Sequence, residues 1–93
     1  MNERDELMVS IAMGVSLTNF FETPVGKHIT EKAEAERASA LEEMASVDPF
    51  DGKAVAQLQR RVAVVDGAMQ WLADTITEGH EAQARLAQFD QPD

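Results

Sequence analysis

The side chains with the most obvious chemical capacity in this 93-residue chain are its two histidines. His28 has Glu31 one helical turn further on, and His80 has Glu81 beside it. A zinc site needs three or four converging ligands, and helical sites usually supply two histidines four residues apart. Neither histidine has a second one nearby, and cysteine is absent, so thiolate ligands are missing as well. We therefore expect both histidines to face solvent and predict no metal or other cofactor, with a metal shared between identical copies as the alternative.

Candidate catalytic groups lack the surroundings that their chemistry needs. Neighbouring carboxylates such as Glu42 and Glu43 are predicted to lie on the outward face of an alanine-rich helix, whereas acid–base catalysis needs a cleft that shifts the pKa of a carboxyl group. The four serines follow no recognisable pattern with a base, and the five glycines form no phosphate-binding loop. The sequence predicts a protein without enzymatic activity.

Charge and hydropathy argue against two classes of partner. With 17 acidic and 8 basic side chains the net charge is -9, which repels the phosphates of nucleic acids and anionic lipid headgroups. The apolar run at residues 7–21 is short of the roughly 20 residues that a membrane-spanning helix needs, and an acidic segment precedes it where an export signal would be basic. We expect a soluble protein with no direct nucleic-acid contact, no membrane insertion and no export.

The elements that position these groups are organised around residues 55–76. Apolar side chains recur there at alternating steps of three and four residues, the spacing of one stripe along an α-helix. The members of the stripe are Val55, Leu58, Val62, Val65, Met69, Leu72 and Ile76. A second apolar set, Val64, Ala68 and Trp71, lies about 90–130° round the same helix. One helix covers one stripe, so the second set predicts a further partner, either the N-terminal helix or another copy of the chain.

A first helix is predicted over residues 1–22, with Asn2 or Asp5 as its N-cap. Its apolar face consists of Leu7, Ile11, Val15 and Thr18, widened by Met8, Ala12, Phe20 and Phe21. Gly14 lies within this face and weakens the helix by up to roughly 1 kcal/mol relative to alanine. We therefore expect packing to hold this helix in place.

A second helix is predicted over about 24–46, because Thr23 is a good N-cap and Pro24 suits the first helical position. Its inner side consists of Val25, Ile29, Ala33, Ala40, Met44 and Val47. Pro49 ends this helix, and Asp51 is placed to cap the next one. The short turn between them predicts an antiparallel hairpin that brings Glu36 near Arg60 or Arg61.

The predicted fold is therefore all-α and forms a single domain over residues 1–93. An antiparallel helical hairpin, about 24–46 and 52–78, is joined by the N-terminal helix in a bundle-like arrangement. Near Gly79 the last helix is expected to end or kink, leaving residues 80–93 as a short segment and a fraying tail. A chain of this size covers its apolar surface poorly, so we expect self-association to complete the core.

Two aromatic residues have two open interpretations each. Trp71 either fills the core or anchors an interface, since tryptophan is enriched at the buried centres of protein contacts. Phe50, at the tip of the hairpin, either packs back over the helix ends or is presented to a partner. The candidate interface residues are Trp71, Val64, Ala68, Phe50, Met8, Ile11 and Val15.

The order of these features resembles that of small helical-hairpin proteins of tailed bacteriophages, often encoded among head-assembly and packaging genes. The likeness rests on Phe20-Phe21, Pro24, the alanine- and glutamate-rich helix, the Asp48-Pro49-Phe50-Asp51 turn, Leu58-Gln59, Trp71-Leu72 and Gly79. It covers most of the chain and implies an oligomeric virion or assembly component without enzymatic activity. Such a protein would be located in the cytoplasm of a host bacterium or in the virion.

Two functions of different classes follow from these observations. The first is a structural or interaction protein that acts through helix–helix contacts, with itself and with another phage or host protein. The second is an acidic inhibitor that mimics nucleic-acid charge, suggested by the density of carboxylates over residues 31–51, and that blocks a host defence or transcription protein. Salt distinguishes them, because electrostatic binding weakens steeply as ionic strength rises and apolar binding does not.

Overall fold

The structure is a computed structural model that describes residues 2–91. These residues form three α-helices, α1 (Glu3–Glu22), α2 (Pro24–Ser46) and α3 (Gly52–Phe89). An ion pair of Arg4 with Asp90 joins the start of α1 to the end of α3, and one of Arg37 with Asp66 joins α2 to the first half of α3. Both shorter helices therefore run antiparallel to α3. The predicted all-α fold, a hairpin with an N-terminal helix, is confirmed, and α1 packs within its own chain.

Side-chain caps begin each helix at predicted residues, and of the two candidates for α1, Asn2 and Asp5, the structure shows Asn2. Asn2, Thr23 and Asp51 each accept a hydrogen bond from the backbone N–H three residues further on. Pro24 occupies the first turn of α2, where its missing N–H leaves no helical hydrogen bond unmade. Met1, which the first predicted helix included, lies outside the described residues.

The prediction that the last helix ends near Gly79 is wrong, because α3 continues as one α-helix to Phe89. Gly79 is buried where α1 crosses α3, and a Cβ atom there would lie 3.0 Å from the carbonyl oxygen of Ser10. This glycine therefore permits a close helix contact. Asp90 and Gln91 form a turn after the helix, whereas Pro92 and Asp93 of the predicted tail lie outside the described residues.

A break at Thr23, whose backbone is extended, separates α1 from α2. The first turn of α2 returns so closely to the end of α1 that a Cβ atom on Gly26 would lie 2.7 Å from the carbonyl carbon of Phe20 and 2.8 Å from the Cα of Phe21. Such distances are too short for any side chain. The break between α1 and α2 therefore requires glycine at position 26.

The inward faces of α1 and α2 differ in part from those predicted. On α1 the more enclosed residues are Leu7, Ser10, Ile11, Gly14, Leu17 and Phe21, and on α2 and its C-cap they are Gly26, Thr30, Ala33, Ala40, Met44 and Val47. Val15 on α1 and Val25 and Ile29 on α2, all predicted to face inward, are exposed. Counted back from Val47, steps of three and four residues lead to Gly26 and do not include Val25 or Ile29. The inner side of α2 therefore starts at Gly26, and the assignment of Val25 and Ile29 to that side is wrong.

The molecule is only about two helices thick, so its core is thin. The predicted stripe of α3 faces the partner helices, with Leu58 buried and its other members half-buried. The chain measures 65 × 29 × 20 Å, and its radius of gyration is 19.0 Å. A compact domain of this length has a radius of gyration of about 12 Å. The elongated shape leaves much of the apolar surface in contact with solvent.

Candidate interaction surface

The residues with chemical capacity do not converge in the structure. Within residues 2–91, no group of three or more histidine, aspartate or glutamate side chains is arranged to hold a metal ion. His28 and His80 are both exposed, on α2 and α3 respectively. In the same part of the chain, no helix is long and apolar enough to cross a membrane.

Arg61 links the two helices of the hairpin through two carboxylates. Its Nε lies 2.7 Å from Oε1 of Glu36, as the sequence predicts, and its Nη1 reaches Oε2 of Glu43. The hydrogen bond from Arg61, reinforced by its charge, lowers the pKa of Glu36 below its ordinary value. The same contacts raise the pKa of Arg61, with the hydrogen bond to Glu36 as the largest cause. These groups stabilise each other, with both carboxylates exposed and Arg61 half-buried, so they are placed to fix the hairpin register.

The helix pair has two distinguishable flanks. Val64 lines a groove together with Glu36 and Arg61, so it lies on the flank that carries their ion pair. Ala68 and Trp71 follow Val64 at steps of four and three residues and therefore share its face of α3. Asp66 lies two residues, or about 200°, round α3 from Val64, so its pair with Arg37 is on the other flank. The hydrogen bond from Arg37 to Asp66 is the main cause that raises the pKa of Arg37.

Apolar side chains of α2 extend the first of these flanks. Ile29 and Glu36 line a groove with Val65 on the same side of the hairpin, and Val25 precedes Ile29 by one helical turn. We call this surface the tryptophan flank; its members are Val25, Ile29, Val64, Ala68 and Trp71. All five are exposed, Trp71 at 75%, Val64 at 65% and Val25 at 60%. Trp71 thus does not fill the core of a single chain.

Met8, Ile11 and Val15, the other helical candidates, lie on the opposite flank. Ile11 and Val15 line a groove between α1 and α3 that also includes His80 and Gln83. On α3, steps of three and four residues lead from Asp66 to His80, so this groove lies on the Asp66 side. Met8 lies on α1 one turn before Ile11 and is half exposed. The structure therefore brings Trp71, Val64 and Ala68 together and separates them from the three α1 candidates.

Phe50 is at the tip of the hairpin, distant from both helical sets. Its backbone N–H donates a hydrogen bond to Oδ1 of Asp48, which shapes the turn. The side chain is 95% exposed, so it does not pack back over the helix ends. Of its two predicted placements, the structure shows the one that leaves the ring available to a partner.

Val25 and Ile29 were missed as surface residues because they were assigned to the inner side of α2. The signal that could have identified them is the seven-residue repeat of small and apolar positions that runs from Gly26 through Ala33 and Ala40 to Val47. Once that repeat defines the inner side, Val25 and Ile29 lie beside it.

A scan of protein-family models, a search of curated proteins and a search of solved structures each found no match to this chain.

Proposed function

We propose that this chain is a non-enzymatic structural or interaction protein that associates with a second copy of itself through the tryptophan flank. The observation that carries the proposal is the exposure of Trp71, at 75%, in the middle of a surface formed by other exposed apolar side chains. A single exposed apolar residue is ordinary on a protein surface, whereas a group that includes tryptophan is typical of interface centres.

The surface area of the chain supports the same conclusion. Its solvent-accessible area is 7012 Å². A compact monomer of this size exposes about 5,300 Å², so the excess is about 1,700 Å². A stable protein interface covers roughly 800 Å² on each partner. The excess is therefore large enough for one such interface, with area left over for another contact.

We propose, on the resemblance to phage helical-hairpin proteins, that this association serves the assembly or structure of a virion. In that setting the dimer acts through helix–helix contacts in the cytoplasm of a host bacterium or in the particle. Phe50 supports a further contact with another phage or host protein, because its ring is exposed at the hairpin tip, away from the tryptophan flank.

The alternative function is an acidic inhibitor that mimics the charge of nucleic acid. Its supporting observation is that Glu31, Glu34 and Glu42 are all exposed on α2. Glu36 and Glu43 are less suited to this role, because Arg61 pairs with both. The apolar flank has no part in such a mechanism, and we therefore place self-association first.

The test is the mass of the protein in solution, measured by light scattering over a range of concentrations. We expect wild-type protein to form a dimer or higher oligomer and Trp71→Ala to raise the dissociation constant about tenfold or more. Met8→Ala, a change of an exposed apolar residue on the opposite flank, is the matched control and should leave the mass unchanged. A wild-type chain that stays monomeric at tens of micromolar contradicts the proposal.

The single tryptophan gives an independent measurement. Trp71 is exposed in one isolated chain, so its fluorescence emission should shift to the blue as the concentration rises and the flank is covered. Emission that is already blue-shifted in a strictly monomeric sample would show that the ring is buried within one chain, against the proposal.

A further inference from the structure

The tryptophan flank of α3 carries a charge pattern that bears on how two copies meet. Lys53 and Arg60 precede Val64 on this face, at successive steps of three and four residues through Gln57. Asp74 and Glu78 follow Trp71 at steps of three and four residues. Basic side chains thus lie at one end of the exposed face and acidic ones at the other.

These charges are available for contacts with a second molecule. Within residues 2–91, none of Lys53, Arg60, Asp74 and Glu78 takes part in an ion pair. The Oδ1 atom of Asp74 accepts a hydrogen bond from Gln70, which leaves its charge without a cation. The two cations and the two anions balance, so this face does not share the net charge of -9 that opposes association elsewhere.

We infer that a second copy of this chain docks on the tryptophan flank with its α3 antiparallel to the first, about a two-fold axis between Gly67 and Ala68. The inference rests on the proposed self-association and specifies its geometry. Two-fold symmetry requires that each surface complement itself. With the axis at this point, Val64 of one copy lies level with Trp71 of the other, and Arg60 lies level with the turn that carries Asp74.

Side-chain size fits this arrangement as well as charge does. A Cβ atom on Gly67 would have no atom within 4 Å, so the centre of the face is open and small. Two backbones can approach at Gly67 and Ala68 while each Trp71 packs beside the Val64 of the partner. This places Trp71, the largest apolar side chain, about one helical turn from the two-fold axis, near the centre of the contact where interface energy is usually concentrated.

A parallel arrangement of the same two faces is disfavoured by the same residues. Each residue would then lie opposite its own copy, so Arg60 would face Arg60 and Asp74 would face Asp74. Like charges at close range repel, and nothing on the face compensates for them. The antiparallel arrangement replaces both repulsions with attractions between Arg60 and Asp74.

Cysteine cross-linking tests the geometry directly, because the chain contains no cysteine of its own. In the inferred dimer the two copies of Ala68 lie within about 2 Å of each other along the helix axis, whereas the two copies of Gln57 are about 30 Å apart. Ala68→Cys should therefore form a disulfide-linked dimer on mild oxidation, and Gln57→Cys should not. A parallel dimer would cross-link at both positions, and that result would overturn the inference.

Exchange of charges provides a second test that leaves the apolar residues intact. Arg60→Glu alone and Asp74→Arg alone should each raise the dissociation constant of the homodimer about tenfold, because each variant places like charges opposite each other. An equimolar mixture of the two variants restores both attractions and should recover the wild-type affinity. Equal affinities in the mixture and in the separate variants would overturn the inference.

Different results would contradict self-association and its antiparallel geometry. A wild-type chain that never dimerises contradicts self-association, and the inferred geometry with it. Self-association is supported if the wild-type chain dimerises and Trp71→Ala weakens the dimer. The antiparallel geometry is nevertheless contradicted if Gln57→Cys cross-links, or if mixing the two charge variants does not restore affinity. Cross-linking at Ala68 alone, with rescue in the mixed sample, supports both.

Discussion

Gly14 and Gly79 face each other where α1 crosses α3, so closely that a Cβ atom on Gly14 would lie 3.2 Å from the Cα of Gly79. A glycine in the interior of a helix costs about 1 kcal/mol relative to alanine, and here both helices carry one at the same point. Their contact lets the two backbones pack closely, and this packing offsets the loss of helix propensity. It also sets the level at which α1 lies along α3.

The first prediction is that Gly79→Ala lowers the free energy of unfolding by about 1 kcal/mol, although alanine is the better helix former. Helix propensity contributes a gain of about 1 kcal/mol, whereas overpacking of a close contact costs roughly 1–3 kcal/mol. The new methyl group would meet the backbone of Ser10 and Gly14, so α1 itself must move. Urea denaturation followed by circular dichroism measures the difference.

Gly67→Ala is the matched control, since it adds the same methyl group to α3 where a Cβ atom meets open space. It should raise the free energy of unfolding by about 0.5–1 kcal/mol. Both substitutions are best measured in a Trp71→Ala background and at low protein concentration, where dimerisation contributes least. Equal stabilisation by the two alanines would show that Gly79 is not a contact glycine.

The second prediction concerns the break between α1 and α2. Gly26→Ala should lower the free energy of unfolding by about 3 kcal/mol or more, because its Cβ atom would overlap the backbone at Phe20 and Phe21. The neighbouring Lys27→Ala shortens an exposed side chain outside the tryptophan flank and should change stability by less than about 0.5 kcal/mol. Thermal unfolding of the two variants at one concentration makes the comparison. Similar melting temperatures would contradict the close approach of α2 to α1.

The third prediction is a pH dependence of the hairpin that originates in Glu36. Its pKa is lowered in the folded chain by Arg61, so the folded state binds its proton less readily than the unfolded state does. The resulting stabilisation is fully present above the unfolded pKa of about 4.3 and is lost as the pH falls through the lower folded value. Acidification should therefore remove the stability difference between wild-type protein and Glu36→Gln.

Glu34→Gln controls for the general loss of negative charge, because Glu34 is exposed on α2 and takes part in no ion pair within residues 2–91. Glu34→Gln removes a carboxylate of the same helix without breaking an ion pair within residues 2–91, so it isolates the part of the pH effect that comes from the pair of Glu36 with Arg61. Denaturation curves at about pH 7, 5 and 3 test both variants around the carboxyl pKa. A Glu36→Gln difference that persists at the lowest pH would indicate that Arg61 does not act through the charge of Glu36.

The helices and their starts could be predicted because they depend on local features. The caps at Asn2, Thr23 and Asp51 require only a polar side chain and the three residues that follow it. The stripe of α3 could be predicted as well, since its apolar positions repeat over about six helical turns. The position of Trp71 beside this stripe follows from the helical step of 100°.

The relations between distant helices could not be predicted in the same way. Propensity alone makes Gly79 a weak helical position, and its role becomes visible only when Ser10 and Gly14 are placed against it. The flank on which Met8 and Val15 lie depends on how α1 is rotated against α3. That rotation is determined by the glycine contact, which brings together residues 65 positions apart.

The fourth prediction separates the two proposed functions by salt. A dimer held by the tryptophan flank should change its dissociation constant by less than about threefold between about 0.05 and 0.5 M sodium chloride, because the balanced charges of the flank contribute little beside the buried apolar area. The affinity of a nucleic-acid mimic for its target protein should fall by several orders of magnitude over the same range of salt concentration. Sedimentation of wild-type protein at both salt concentrations provides the measurement, with Trp71→Ala as the reference for a dimer weakened through its apolar contact. A wild-type dimer that dissociates at high salt as readily as Trp71→Ala does at low salt would mean that charge, and not the tryptophan, holds the two copies together.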